Sequence, residues 1–266
     1  MAKAPFLIAA VPYLYARPLL SGLEERGDVE LLFAPPADLP GLLQRGEADA
    51  ALVSTIDVQK AETPWTVLPA GGVSCRGRTL TTRVYARIPP EEMRTLWVDG
   101  ESHTSVALAR LLWRKSFGRK LKCIPYDPQK ITPPESAEAV LLIGDRVVVD
   151  PPLGFHEQID LGALWFEMTG LPFVFGLWAA RESAHAPELQ ELLLKARRRG
   201  EGRLEAIAAE FGPRAGWPAD LAERLLTKYM DYSFAEEHED SLEEFFSLAL
   251  EAELIPERRE LKVLRA

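Results

Sequence analysis

Short apolar runs that stop at a small polar corner constrain this chain more than any other feature. Ala139 to Ile143 reads AVLLI and is closed by Gly144-Asp145, while the run within ADAALVST, 48 to 55, ends in Ser54-Thr55. Runs this short, bounded by turn formers, read as strands of a parallel sheet covered on both faces rather than as helices. In open α/β sheets, ligands collect just beyond the carboxyl ends of the strands. Ser54, Gly144 and Asp145 are therefore candidate ligand contacts, although the same residues would serve equally to cap the next turn.

The order of elements extends this reading. Phe6 to Ala10 is a strand, followed by a loop through Pro12 to Arg17 and a helix opened by Pro18. Strands at 29–34 and 48–54 flank a helix stopped at Gly46. This β-α-β-α-β succession implies a parallel sheet with right-handed crossovers. Further strands at 65–75 and 79–88 precede Pro89-Pro90. A second strand-helix-strand set begins at 95–100 and returns through KCIPYD and AVLLIGD, after which PFVFGLWAARE leads out again. From Pro187 onward apolar spacing predicts helices at 187–198, 201–211, 218–230 and 240–253. The expected architecture is two α/β lobes of the type II periplasmic-binding-protein kind with a helical C-terminal region. Residues 1–90 plus 179–266 form the expected first lobe and 91–178 the second, with a ligand cleft between them.

Charge and rare residues narrow the chemistry. With 31 Lys+Arg against 40 Asp+Glu, net charge −9, there is no basic surplus for a phosphate backbone, so nucleic acid is not an expected partner. Much of the acid excess sits in 235–244, as a solvated helix face would carry it. Cys75 and Cys123 are too few for a disulfide framework or a cysteine zinc site. His103, His156, His185 and His238 lack any ligand spacing, so no metal is expected. Pro12 and Arg17 interrupt the N-terminal apolar stretch, which reads as strand one of a cytoplasmic protein rather than a secretion signal, and no membrane partner is expected.

Several motifs together carry a resemblance. Tyr13-Leu14-Tyr15-Ala16-Arg17-Pro18-Leu19, the stretch Gly46 to Ile56, and Thr104 to Leu108 are similar to patterns of the chorismate dehydratase family of the futalosine route to menaquinone. So are Leu141 to Asp145, Asp160 to Trp165 and Thr169 to Phe175, while Gly77 to Thr82 matches loosely. The resemblance spans the first 180 residues or so and implies a cofactor-free, cytoplasmic enzyme. Its reaction removes water from chorismate to give 3-(1-carboxyvinyloxy)benzoate in menaquinone biosynthesis. The family's loop Asn is replaced here by Tyr15 and its strand Ser by Thr81, and His103 stands where Arg is common. Tyr15 and Thr81 are thus the candidate catalytic positions. The alternative is a non-catalytic or diverged small-carboxylate-binding protein with the same cleft.

Chorismate carries two carboxylates, so the implied partner is a small dicarboxylate and anion binding is the main demand on the site. The cluster Ser102-His103-Thr104-Ser105 opens a helix and offers hydroxyls and free N–H groups, either as a carboxylate cradle or as a plain N-cap. Arg17, Arg76, Arg78 and Arg83 are candidates for a second carboxylate, because guanidinium pairs with it bidentately; Arg83 shares a strand face with Thr81. The candidate binding set is Arg17, Ser54, Arg83, His103, Thr104, Ser105, Gly144 and Asp145. Trp165 and Phe173 to Phe175 are read as packing.

Overall fold

The computed structural model describes residues 4–127, 130–182 and 185–265. Ten strands form two five-stranded sheets. The first sheet uses β1 (Phe6–Ala10), β2 (Val29–Phe33), β3 (Ala50–Ser54), β4 (Thr66–Cys75) and β10 (Phe173–Ala180), in the order β2-β1-β3-β10-β4. The second uses β5 (Thr82–Ala86), β6 (Thr95–Asp99), β7 (Lys122–Tyr126), β8 (Ala139–Ile143) and β9 (Glu157–Asp160), in the order β7-β6-β8-β5-β9. In each sheet the early strands run parallel, β1 with β2 and β3, β6 with β7 and β8. The strands that come from across the crossings, β10 in the first sheet and β5 in the second, pair antiparallel to their neighbours. Every residue of β3 and of β8 is buried, as their unbroken apolar runs require.

Sheet membership sets the two crossings between lobes. The chain leaves the first sheet after Cys75 and enters the second at Thr82, so 76–81 is one crossing; it returns between Thr169 and Phe173. Both lie earlier than the 90/91 and 178/179 boundaries expected from the sequence. An antiparallel strand inserted into a sheet is as apolar as its neighbours, so composition alone does not say to which sheet β5 or β10 belongs.

Helices cover the sheets: α1 (Leu39–Arg45), α2 (Asp57–Lys60), α3 (His103–Ser116), α4 (Arg146–Val149) and α5 (Leu161–Thr169). The C-terminal helical region follows with α6 (Ala186–Glu201), α7 (Leu204–Phe211), α8 (Ala219–Arg224) and α9 (Glu236–Glu251). There α6 packs on β4, and α9 on β10 and α3. The chain end returns to the first lobe, where Val67 N–H donates to Lys262 O at 2.8 Å and the Val67 carbonyl accepts from Leu264 N–H at 2.9 Å. The helix expected after Pro18 is instead a 3-10 segment, Leu14–Leu20, with Pro18 inside it. Gly22, at φ +82, turns the chain before an α-helix develops.

Candidate functional site

The cleft lies at the carboxyl ends of the central strands, between the two sheets. Counting the open solvent at its mouth it spans about 470 Å³, of which about 40 Å³ admits the centre of a water-sized sphere; it is walled by Val11, Leu52, Val73, Ile143 and Phe175 and edged by the hydroxyl-bearing residues Tyr15, Ser54, Thr81, Thr82, Ser102 and Ser105. Among the described residues no charged side chain lines it. Such a lining offers neutral donors and the start of a helix rather than partners for an ion pair.

The α3 start supplies two of the hydroxyls. Ser102 caps the helix, its Oγ accepting from Ser105 N–H at 3.2 Å and lying 2.8 Å from Ser105 Oγ. Both serines are buried, at 7% and 2% exposure, so their polar atoms face the cleft and each other and not bulk water. At the end of the 76–81 crossing, next to β5 of the second sheet, Thr81 Oγ1 sits 2.8 Å from Thr79 Oγ1. Tyr15 comes from the 3-10 segment after β1, its ring 5.4 Å from that of Tyr13. Burial, then the nearby carboxylates of Asp145 and Glu101, push the Tyr15 hydroxyl well above its ordinary range. It is therefore a neutral donor and not a phenolate base.

Of the residues singled out from sequence, Tyr15, Ser54, Thr81 and Ser105 meet at this cleft. The others lie elsewhere. Arg17 pairs with Glu24 at 3.2 Å and stacks over Phe33 and Phe211, on the outside of the first lobe. Arg83 turns to Gln158 at 3.1 Å and to Asp160 at 3.8 Å. Arg76 pairs with Glu237, and Arg78 is exposed. The sequence signal for arginine was only its chemistry; the partners that claim Arg17 and Arg83 are set by tertiary packing.

Four candidates instead join the lobes. Thr104 Oγ1 accepts from Ile56 N–H at 3.0 Å, and His103 Nδ1 lies 2.9 Å from both oxygens of buried Asp57. That hydrogen bond raises the His103 pKa, against a lowering from burial. Asp145 accepts from Leu14 N–H at 3.3 Å and from the Trp217 indole N–H at 2.8 Å. Gly144, at φ +71, lets the Tyr13 ring approach so closely that a Cβ would stand 2.7 Å from it. Tyr13 OH adds a further link, donating to Glu101 Oε2 at 2.6 Å.

Residues not singled out from sequence complete the surroundings. Thr82 lines the cleft beside Thr81, its signal the Thr-Thr run, while Ser102 lines it from the Ser-His-Thr-Ser cluster already named. Asp99 and Glu101 flank it: burial and then Glu101 push Asp99 up to about 7. Away from the cleft, Asp231, Glu237 and His238 approach one another closely enough to hold an ion. Both His238 ring nitrogens are already engaged, Nδ1 by Ala235 N–H at 3.2 Å and Nε2 by Asp231 at 3.1 Å. Those bonds fasten the start of α9.

Two lobes, two crossings and a cleft at the strand ends define a periplasmic-binding-protein-like fold. Solved structures share it: a protein of Archaeoglobus fulgidus (TM-score 0.71, 19% identity, covering 96% of this chain and 100% of that one) and the MOPS-bound alkanesulfonate-binding protein of Xanthomonas axonopodis pv. citri (TM-score 0.68, 14% identity, 100% of both). The chain belongs to the menaquinone biosynthesis family, whose pattern it matches over residues 6–251. It is 30% identical to the chorismate dehydratase of Thermus thermophilus over 230 residues, 80% of this chain and 83% of the relative. It is 28% identical to the 1,4-dihydroxy-6-naphtoate synthase of Streptomyces coelicolor over 221 residues, 79% and 73%.

One expectation is corrected by these likenesses. The fold is shared with a periplasmic aliphatic sulphonate-binding protein of Escherichia coli (TM-score 0.65, 13% identity, 98% of this chain and 97% of that one), which runs against the cytoplasmic location read from the N-terminal residues. That location is not retained. Among the described residues no helix is long and apolar enough to cross a membrane.

Proposed function

We propose that the cleft binds a compact cyclic carboxylic acid of the chorismate class, held by hydroxyls and helix-start amides with its ring against the apolar wall. The observation that carries this reading is the ring of six hydroxyls around an otherwise apolar, uncharged cavity. Ser102 and Ser105 at the start of α3 offer one carboxylate site, and Thr81 and Thr82 at the start of β5 offer donors for the rest of the molecule.

A second reading, dehydration of that acid, is favoured by the likeness to the Thermus thermophilus enzyme. Chorismate would lose its ring hydroxyl and a ring proton as water, and aromatisation would drive the step. Positioning and stabilisation of developing charge are all the protein needs to supply. In that scheme the substrate's own enolpyruvyl carboxylate takes the proton, and the neutral Tyr15 hydroxyl donates to the departing oxygen. Calorimetry with chorismate on the full chain, beside assay of the aromatic product, tests both. Binding with product supports dehydration; binding without product supports a binding protein; no binding overturns the proposal. Tyr15→Asn, run in parallel, locates the cause if only the variant turns over.

A further inference from the structure

The motif Asp160-Leu161-Gly162-Ala163-Leu164-Trp165 has no part in the reading above, yet it stands where the crossings meet. In the crossing that leads to Thr81, Leu80 holds φ 61, a left-handed conformation. For a residue with a side chain this costs on the order of 1 kcal/mol or more and persists only where the surroundings impose it. The surroundings here are one carboxylate. Asp160 accepts from Thr79 N–H at 3.1 Å through each oxygen and from Leu80 N–H at 3.0 Å. It also caps α5 through Gly162 N–H at 3.1 Å and Ala163 N–H at 3.2 Å.

The rest of the motif fits the same purpose. A Cβ on Gly162 would stand 2.5 Å from Cys75 Sγ and 2.6 Å from Gly77 O, so the helix start presses directly on the crossing. Trp165, fully buried, meets the edge of Phe173 at 5.1 Å, where the second crossing enters β10. One short helix thus braces both connections between the lobes.

From Asp160 a chain of hydrogen bonds runs to the cleft. With its amide held, Thr79 places Oγ1 to accept from Thr81 N–H at 3.2 Å and 2.8 Å from Thr81 Oγ1, a pair in which either hydroxyl can donate; with Thr79 as donor the Thr81 O–H is freed. The remaining contact, Thr81 Oγ1 to Thr79 O, is long at 3.5 Å. The Thr81 O–H is then available as a donor into the cavity it lines. We propose that Asp160 is a positioning residue of the cleft, fixing the strained crossing so that Thr79 orients the Thr81 hydroxyl as a donor to the ligand's carboxylate. The ligand part of this assignment rests on the carboxylate-binding reading above; the clamp itself does not.

The test uses the full chain and chorismate as probe, with Asp160→Asn, Thr79→Val, Thr81→Val and the Asp160→Asn/Thr81→Val double variant. Losing a hydrogen bond to a charged ligand weakens binding roughly ten- to hundredfold. Each single variant is expected to show that loss, and the double variant no more than Thr81→Val alone. Additive losses, or lower stability with unchanged affinity, would mean that Asp160 only supports the fold and would overturn the proposal. Thr79→Val leaves Asp160 and its caps intact, so it remains informative if Asp160→Asn folds poorly. Amide hydrogen exchange without ligand separates the two ideas: Asp160→Asn is expected to expose the Thr79 and Leu80 amides while those of β8 stay protected. Unchanged exchange refutes the clamp; altered exchange in a chain that does not bind chorismate refutes the carboxylate reading and leaves the clamp standing.

Discussion

Asp99→Asn should stabilise this protein at neutral pH, which is unusual for a change at a buried polar site. Asp99 ends β6 at 3% exposure, and its carboxylate accepts a single long hydrogen bond, from Glu101 N–H at 3.4 Å. Burial first, and repulsion from Glu101 second, push its pKa up to about 7, with Arg146 opposing. An unfolded aspartate titrates near 3.9, so between about pH 4 and 7 the folded state keeps a proton that the unfolded state has lost. Stability therefore falls as pH rises through that window. At about 1.4 kcal/mol per pH unit, the displacement amounts to roughly 4 kcal/mol as an upper figure. Asparagine keeps the shape and an acceptor for Glu101 N–H but carries no charge. Urea denaturation followed by tryptophan fluorescence at pH 4.5, 6 and 8, on both proteins, gives the difference directly. The raised carboxyls of Asp145 and Asp160 and the lowered one of Asp231 are common to both and drop out. The variant should gain on the parent steadily with pH, by a few kcal/mol at pH 8. Parallel curves would show that Asp99 ionises as an ordinary surface carboxylate and that the burial reasoning is wrong.

Asp145→Ala should lower the urea midpoint by the equivalent of roughly 2–5 kcal/mol, because it orphans two buried donors at about 1–3 kcal/mol each, Leu14 N–H and Trp217 Nε1–H. Asp145→Asn, which still offers one acceptor, should cost less; equal costs would contradict the latch. His103→Ala should lose less than about 1 kcal/mol, since the imidazole is 43% exposed. The contribution of His103 is full below its unfolded pKa near 6.5 and disappears as pH rises through its raised folded value. The gap between parent and variant should close from pH 6 toward pH 8, and thermal melts showing a constant gap would count against the Asp57 pairing.

Much of the two-sheet plan was legible because β3 and β8 are covered on both faces and so had to be unbroken apolar runs. The place of β10 was not, because FVFGLWAA meets the requirements of either sheet equally well. Its assignment rests on pairing with β3 and β4, strands that lie about 100 residues away in sequence. The same division holds in the cleft. Hydroxyls at strand ends and at a helix start were readable as a type of chemistry, and Tyr15, Ser54, Thr81 and Ser105 do line the cavity. Arg17 was misplaced because its neighbours Phe33 and Phe211 come from separate elements, and Asp145 because Trp217, its strongest partner, lies 72 residues further on. Asp99 and Glu101 left a weak signal, two acids at the end of an apolar strand, with nothing local to mark Asp99 as buried.

The polar links between the lobes bear on how a bound molecule would change the balance between them. Tyr13 to Glu101, Leu14 to Asp145, Ile56 to Thr104 and Asp57 to His103 all lie around the cavity and leave the inner hydroxyls of Ser54, Thr81 and Ser105 to a bound molecule. A hydrogen bond exchanged with water is worth only about 1 kcal/mol net. Five such links, counting Trp217 Nε1–H to Asp145, contribute a few kcal/mol between the lobes, beside the packing of α3 on α9 and β10. A ligand that satisfies the hydroxyls on both walls adds to that sum only when the lobes are together, and so draws the population to the closed form. Tyr15 enters the same balance from inside. Its bulky ring already occupies part of the wall where the family pattern has a compact amide, so the closed form is partly filled without ligand, and Tyr15→Asn should make closure depend more strongly on the bound acid.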